Sequence, residues 1–308
     1  MKKVIIIIIC VLLAAVIAVV ATLGAIGYYS YQAIKCIVNA PEVAEDDSLV
    51  IMSANIRRQE KIITFKKEDT GTHRWYKRAK YYLKNIEVVS PDILAAQEVQ
   101  PGQFKFLTEH LKGYGSVVGY RDNEGRKSES CPIFYSEARF ELLDGGIFWL
   151  TDTPNVMSRH EGCFQYRIAT FAKLKDKSTG LVIAIYNAHP DWTPAEARKE
   201  ELKVVAAQAQ ASDADKVVVL GDLNADKHTE SGAESLAAFE AFLKDSKTFD
   251  GMEDYGNTFQ GYGLSKEEAL DYIYLPSDTT VLEAGKLDAV YNGVYPSDHY
   301  PIYAKVKF

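Results

Sequence analysis

What most constrains this chain is a set of apolar strands that stop abruptly on polar groups. Val217-Val218-Val219-Leu220 runs into Gly221-Asp222-Leu223-Asn224. A strand ends that way when the backbone turns sharply and aims two polar side chains into a cleft. The design recurs. LVIMSANIR (49–57) delivers Asn55, DILAAQEV (92–99) delivers Glu98, LVIAIYNAHPDW (181–192) delivers Asn187, His189 and Asp191, and YPSDHYP (295–301) delivers Asp298 and His299. LDYIYLP (270–276) places Asp271 at the start of a strand instead. One polar residue at a strand boundary is ordinary. Six such segments, all carrying groups suited to a hard cation and a phosphate, point to a metal-dependent hydrolase.

Periodicity supplies the scaffold. Trp75, Ala79, Tyr82, Leu83 and Ile86 fall at helical spacing within 73–88, Pro101 opens a helix through Leu111, and Ala197, Leu202, Val205, Ala206 and Ala209 stripe a third over 194–210. Strands are predicted over 48–55, 92–97, 115–120, 132–136, 146–150, 166–174, 181–188, 216–221, 271–275 and 300–306, with residues 175–180 turning a hairpin. The mixture implies an α/β fold of sheets flanked by helices, and about 260 residues are compatible with one domain.

The residue types match the demands of phosphodiester hydrolysis. The anion repels hydroxide, so the enzyme must neutralise phosphate, supply a nucleophile and stabilise the leaving oxygen. Glu98 is an oxygen ligand suited to Mg²⁺, with Asp298 and Asn55 completing or buttressing that shell. Asp222 would orient and deprotonate the attacking water, and the Asn224 amide would hold water or phosphate. His189 and His299 would lie near the phosphate, with Asp271 orienting the His299 ring. His73, His110, His160 and His228 lack such company and read as surface or packing residues.

The ordered set Asn55, Glu98, His189, Gly-Asp222-Leu-Asn224, Asp271 and Ser-Asp298-His299 resembles the endonuclease/exonuclease/phosphatase superfamily from about Ser48 to Phe308. The resemblance implies a two-sheet β-sandwich flanked by helices, assigns the same roles, and adds Arg167 and Tyr166 as phosphate contacts. It also implies Mg²⁺, or Mn²⁺ in its place, as cofactor. One element departs from the pattern. Ala188-His189-Pro190-Asp191-Trp192 lacks the hydroxyl expected before the histidine, which leaves Asp191 either a helix cap or a residue supporting the site.

The N-terminus reads separately. Lys2-Lys3 precedes an uncharged run from Val4 to Gly27, close to the roughly 20 residues that cross a hydrocarbon core. A cleavable signal has a shorter apolar region and an A-x-A-like site, and no clean site precedes Tyr28. The expectation is an uncleaved transmembrane helix over 1–27, an acidic stalk over 28–47 and a catalytic domain over 48–308. The lysines would leave that domain outside the cytoplasm; secretion after signal cleavage is the alternative. Cys131 and Cys163 would form one disulfide there or remain separate thiols.

A net charge of −7 is not that of a protein tracking long nucleic acid by counterion release. Residues 57–80 nonetheless hold nine Lys/Arg against three Asp/Glu. This cluster is either a solvated helix face or a wall for phosphates, bases or anionic lipid heads. The reading is therefore a membrane-tethered phosphoesterase acting on nucleic acid, phospholipid or a small phosphoester, with no protein partner implied. Its counterpart from another class is a non-catalytic surface-binding protein on the same fold.

Overall fold

A computed structural model describes residues 2–32, 34–60 and 64–308. Helix α1 (Lys2–Gln32) leads to β1 (Val38–Asn39), β2 (Leu49–Asn55), α2 (Trp75–Val89), β3 (Ile93–Gln97) and α3 (Pro101–His110). The chain continues through β4 (Leu111–Lys112), β5 (Tyr114–Val117), β6 (Ile133–Ser136), β7 (Phe140–Trp149), β8 (Ile168–Asp176), β9 (Val182–Ala188) and α4 (Ala195–Gln210). It closes with β10 (Lys216–Asp222), α5 (Glu230–Glu240), β11 (Lys244–Asp245), β12 (Asp271–Leu275), β13 (Thr280–Lys286) and β14 (Ile302–Lys307).

Two mixed sheets of six strands pack face to face, ordered β13-β14-β2-β3-β6-β5 and β11-β12-β10-β9-β8-β7. Ile51, Ile93, Ile133, Ile185, Val218, Ile273 and Ile302 belong to one buried cluster drawn from both sheets. The outer face of the first sheet carries α2 and α3 through Trp75, Leu83, Ile86 and Phe106. The second carries α4 and α5 through Leu202, Val205, Leu236 and Phe239. Strands covered on both faces need apolar residues at consecutive positions, which is why β3 and β10 do not alternate.

Two buried polar groups pin the sheets together. Asn187 of β9 receives Gln97 Nε2 of β3 at 2.8 Å and donates to the Ala96, Cys131 and Pro132 carbonyls at 2.9–3.1 Å. At the opposite end Arg139, fully buried, donates to Asp176 Oδ2 of β8 and to the Ser48 carbonyl that precedes β2, at 2.9 and 2.6 Å. Asn187, expected as one of the strand-end polar groups, is therefore a structural cross-link.

The predicted strands and the three predicted helices are present, and residues 175–180 do join β8 to β9 in an antiparallel pair. Helix α5 and strand β13 were not anticipated. The α5 sequence is interrupted by Gly232, required because a Cβ there would meet the Asp226 carbonyl oxygen at 1.9 Å. Its start is marked by Thr229, whose Oγ1 accepts from Gly232 N at 3.1 Å. Strand β13 is an exposed edge paired only to β14, so it lacks the apolar run that marks a buried strand.

The membrane expectation is corrected. Among the described residues no helix is long and apolar enough to cross a membrane. The transmembrane helix is thereby overturned, and with it the membrane-anchored, extracytoplasmic placement. Cys131 and Cys163 are both buried free thiols.

Candidate active site

Strand register brings the polar ends to one edge of the sandwich. β2 and β3 run parallel with Asn55 beside Gln97, so Asn55 and Glu98 emerge together. β9 and β10 run parallel with Ala188 beside Gly221, which sets His189 next to Asp222. β12 is antiparallel to β10 with Asp271 opposite Asp222, which explains why Asp271 opens its strand rather than ending it. Gly221 is dictated by close approach: at φ +139° a Cβ would sit 2.1 Å from the Ala188 carbonyl oxygen. Glu98 and Asn224 adopt φ 60° and 51° without being glycine, a left-handed conformation concentrated at functional turns.

Asp222 is the hub. Its Oδ2 receives Asn55 Nδ2 at 2.9 Å and faces His299 Nε2 at 3.5 Å and His189 Nε2 at 3.6 Å. Its Oδ1 accepts the Asn224 backbone N–H at 3.1 Å. Asn55 Nδ2 also approaches Glu98 Oε1 at 3.3 Å, while its Oδ1 accepts the Arg57 N–H at 2.8 Å. Asn55 thus spaces two carboxylates. Glu98 Oε2 accepts the Arg58 N–H at 3.1 Å. The Asn224 side chain gives one amide hydrogen to the Pro190 carbonyl at 2.9 Å.

The two histidines differ in charge. His299 Nδ1 bonds Asp271 Oδ2 at 2.8 Å. Burial works against its proton, but the Asp271 and Asp222 carboxylates outweigh it and push the ring up to about 10, so it is an imidazolium at neutral pH. For His189, burial and then the Arg167 guanidinium push the ring down to about 4. Arg167 Nη1 donates to His189 Nδ1 at 3.4 Å, which leaves the hydrogen on Nε2, facing Asp222. Arg167 is itself fixed by Asp191 Oδ1, which accepts from its Nε at 2.8 Å.

Burial raises the Asp222 carboxyl, with His299 opposing. Burial also acts upward on Glu98, but Arg57 and His189 hold it well below the usual carboxylate range. The two carboxylates are thus tuned apart, one toward basicity and one toward a fixed charge.

These groups open on a cleft of about 330 Å³ that also exposes Arg57, Arg58, Glu129, Gln165, Arg167 and Trp192. Arg57 Nη1 lies 3.5 Å from Asp298 Oδ2, and Arg58 Nη1 lies 3.5 Å from Glu129 Oε1. The basic cluster of residues 57–80 therefore divides. Arg57 and Arg58 face the cleft, whereas Arg78 is fully buried and ties the Ile56 and Pro296 carbonyls at 2.9 and 2.7 Å. Glu129, Gln165 and Trp192 were not anticipated; they lie in connecting segments, where linear pattern carries no sign of what they face. Tyr166 is not among the cleft-lining residues, and its ring packs 5.4 Å from the Arg159 guanidinium.

Glu98, His189 and Asp222 each offer a ligand atom, all within 4.8 Å of one another, and Asp222, Asp271 and His299 form a second such group. The carboxylate oxygens of Glu98 and Asp298 are hard donors on the cleft wall, a set that fits Mg²⁺ or Mn²⁺ better than a thiophilic ion.

The endonuclease/exonuclease/phosphatase family model matches residues 52–299. Protein angel of Drosophila melanogaster is 25% identical over 154 residues, 49% of this chain and 44% of that protein. The CCR4-Not complex 3'-5'-exoribonuclease subunit Ccr4 of Emericella nidulans is 27% identical over 139 residues, 39% of this chain and 21% of that one. The chain thus spans less than half the length of these curated relatives. The solved mannosyl-6-phosphatase of Bacteroides thetaiotaomicron superposes with a TM-score of 0.72 at 25% identity, over 84% of this chain and 100% of that one. With the matched region covering most of its length and the strand-end groups gathered at one cleft, the chain belongs to the endonuclease/exonuclease/phosphatase family.

Proposed function

We propose that this chain is a divalent-cation-dependent hydrolase of phosphoester bonds that cleaves phosphodiesters of the nuclease type by an Asp222-activated water. The observation that carries the reading is the convergence of Asn55, His189 and His299 on one Asp222 oxygen, with Asp271 behind His299. Asp222, raised by burial, accepts the proton of the attacking water and orients it. The His299 cation and the neutral Nε2–H of His189 donate to the phosphate oxygens, offsetting charge that grows as the water attacks. Glu98 and Asp298 would hold Mg²⁺, which when bound polarises the phosphate and stabilises developing oxyanion charge. Asn55 keeps Glu98 and Asp222 apart, Asn224 shapes the turn beneath them, and Arg167 holds the His189 ring.

A second reading, a small-molecule phosphatase, is favoured by the full-length superposition with the mannosyl-6-phosphatase and by the net charge of −7. Assays of the purified chain on RNA, DNA, sphingomyelin, phosphoinositides and mannose 6-phosphate, with Mg²⁺ or EDTA, separate the two. The expected result is Mg²⁺-dependent cleavage of a diester. Turnover of monoesters alone selects the second reading, and inactivity on every substrate would favour a binding protein.

A further inference from the structure

The proposed chemistry gives no task to Trp192, which lines the cleft yet keeps 68% of its surface in solvent. Its backbone is pinned. The Asp191 N–H before it donates to Glu201 Oε2 at 2.6 Å, and the Trp192 carbonyl accepts from Arg198 Nη1 of α4 at 3.1 Å. An indole on a fixed turn offers a large flat face that loses little conformational entropy when covered. A second ring lies on the adjoining segment. Cys163 bonds Asp191, and the next residue, Phe164, is 91% exposed. Arg159 Nη1 holds the Phe164 carbonyl at 2.9 Å, and Gln165 then lines the cleft. Lone exposed apolar residues are ordinary, so it is the position beside the catalytic groups that carries the inference.

We propose that Trp192 is the platform on which one unpaired base of the substrate stacks, so that the enzyme takes single-stranded nucleic acid and not duplex; this rests on the nuclease-type reading above. Arg57 and Arg58 follow β2 in one sheet, whereas Trp192 follows β9 in the other. A nucleotide in the cleft therefore meets cations supplied from one sheet and an aromatic face supplied from the other. Stacking suits an acidic chain. At a net charge of −7 few phosphates are neutralised, and base–aromatic contact supplies affinity that counterion release does not. A base inside a duplex reaches the ring only by giving up its pairing and its own stack. The cleft of about 330 Å³ lies at the small end of ligand sites, which suits a single nucleotide.

The test is binding of short labelled oligonucleotides, RNA and DNA in turn, read by fluorescence anisotropy with Mg²⁺ present. The full chain carries Asp222→Asn to suppress cleavage. Each single strand is compared with its abasic copy and with its duplex. The intact strand should bind at least about tenfold more tightly than either. Trp192→Ala should bring that ratio close to one, and Trp192→Phe should restore most of it. Should Trp192→Ala fail to fold, Trp192→Leu, which keeps apolar bulk without a ring, carries the same test. Absent binding, a ratio near one with Trp192 intact, or a ratio that survives its replacement overturns the platform. Mannose 6-phosphate turnover that falls in Trp192→Ala while the oligonucleotide ratio stays near one assigns the ring to a sugar and also overturns it. Binding separates this proposal from the nuclease reading. A Trp192-dependent ratio without cleavage by the wild-type chain ends that reading and leaves the stacking in place, whereas cleavage without the ratio does the reverse.

Discussion

At the scale of single residues, one carboxylate oxygen lies between a charged histidine and a neutral one. Replacing Asp222 by Asn removes the proposed proton acceptor while keeping its hydrogen-bonding size, so kcat should fall by about 10²–10⁴-fold with the far-ultraviolet circular dichroism unchanged; full activity would remove Asp222 from the chemistry. The imidazolium of His299 predicts a stability profile with a definite sign. Its folded value of about 10 exceeds the ordinary 6.5, so its contribution is complete below about 6.5 and is lost as pH rises to about 10. His189, held at about 4 instead of 6.5, acts oppositely: the unfolded chain takes the proton first, and stability falls as pH drops from 6.5 to 4. Thermal midpoints measured from pH 4 to 10 should therefore fall at both ends. In His299→Gln the alkaline fall should shrink while the acid one stays.

Elements decide whether these residues meet. Gly221 lets β10 run against the Ala188 carbonyl, so Gly221→Ala must displace β9 or β10 and should cost several kcal/mol, in the range of severe backbone and packing defects; a urea midpoint equal to wild type would contradict the packing argument. Asn187→Leu leaves Gln97 and the Ala96, Cys131 and Pro132 carbonyls without their shared partner. A loss of about 1–3 kcal/mol is expected from the unsatisfied groups, read in the same unfolding experiment. Both positions lie within the runs from which strands β9 and β10 could be read. The sharp turn after Leu220 was legible because Gly-Asp-Leu-Asn breaks an apolar run. The role of Asn187 was not, because a buried cross-link and a catalytic amide leave the same residue at the same strand end. Edge strand β13 and helix α5 escaped notice for want of a continuous apolar signal.

For the whole molecule, acidity sets how substrate is gathered. With a net charge of −7 and only local arginines at the cleft, phosphate binding should release few counterions, so KM should change less than about tenfold between 50 and 200 mM salt, far below the 10³–10⁵ of proteins making many phosphate contacts. A steep salt dependence would instead indicate an extended nucleic-acid track. The proposed Mg²⁺ requirement predicts complete loss of turnover in EDTA and recovery on adding Mg²⁺, measured by phosphate or product release. The amino-acid pattern specified which strands carry polar ends, and the chemistry of those ends pointed to phosphate and a hard cation as the proposed ligands, because both are local properties of residue type and period. Pairing the β3 end with the β10 end, dividing Arg57 from Arg78, and leaving His299 charged while His189 is neutral depended on packing. Those outcomes turn on distances between residues far apart in the chain, and they arise only when two sheets stack and exclude water from what lies between them.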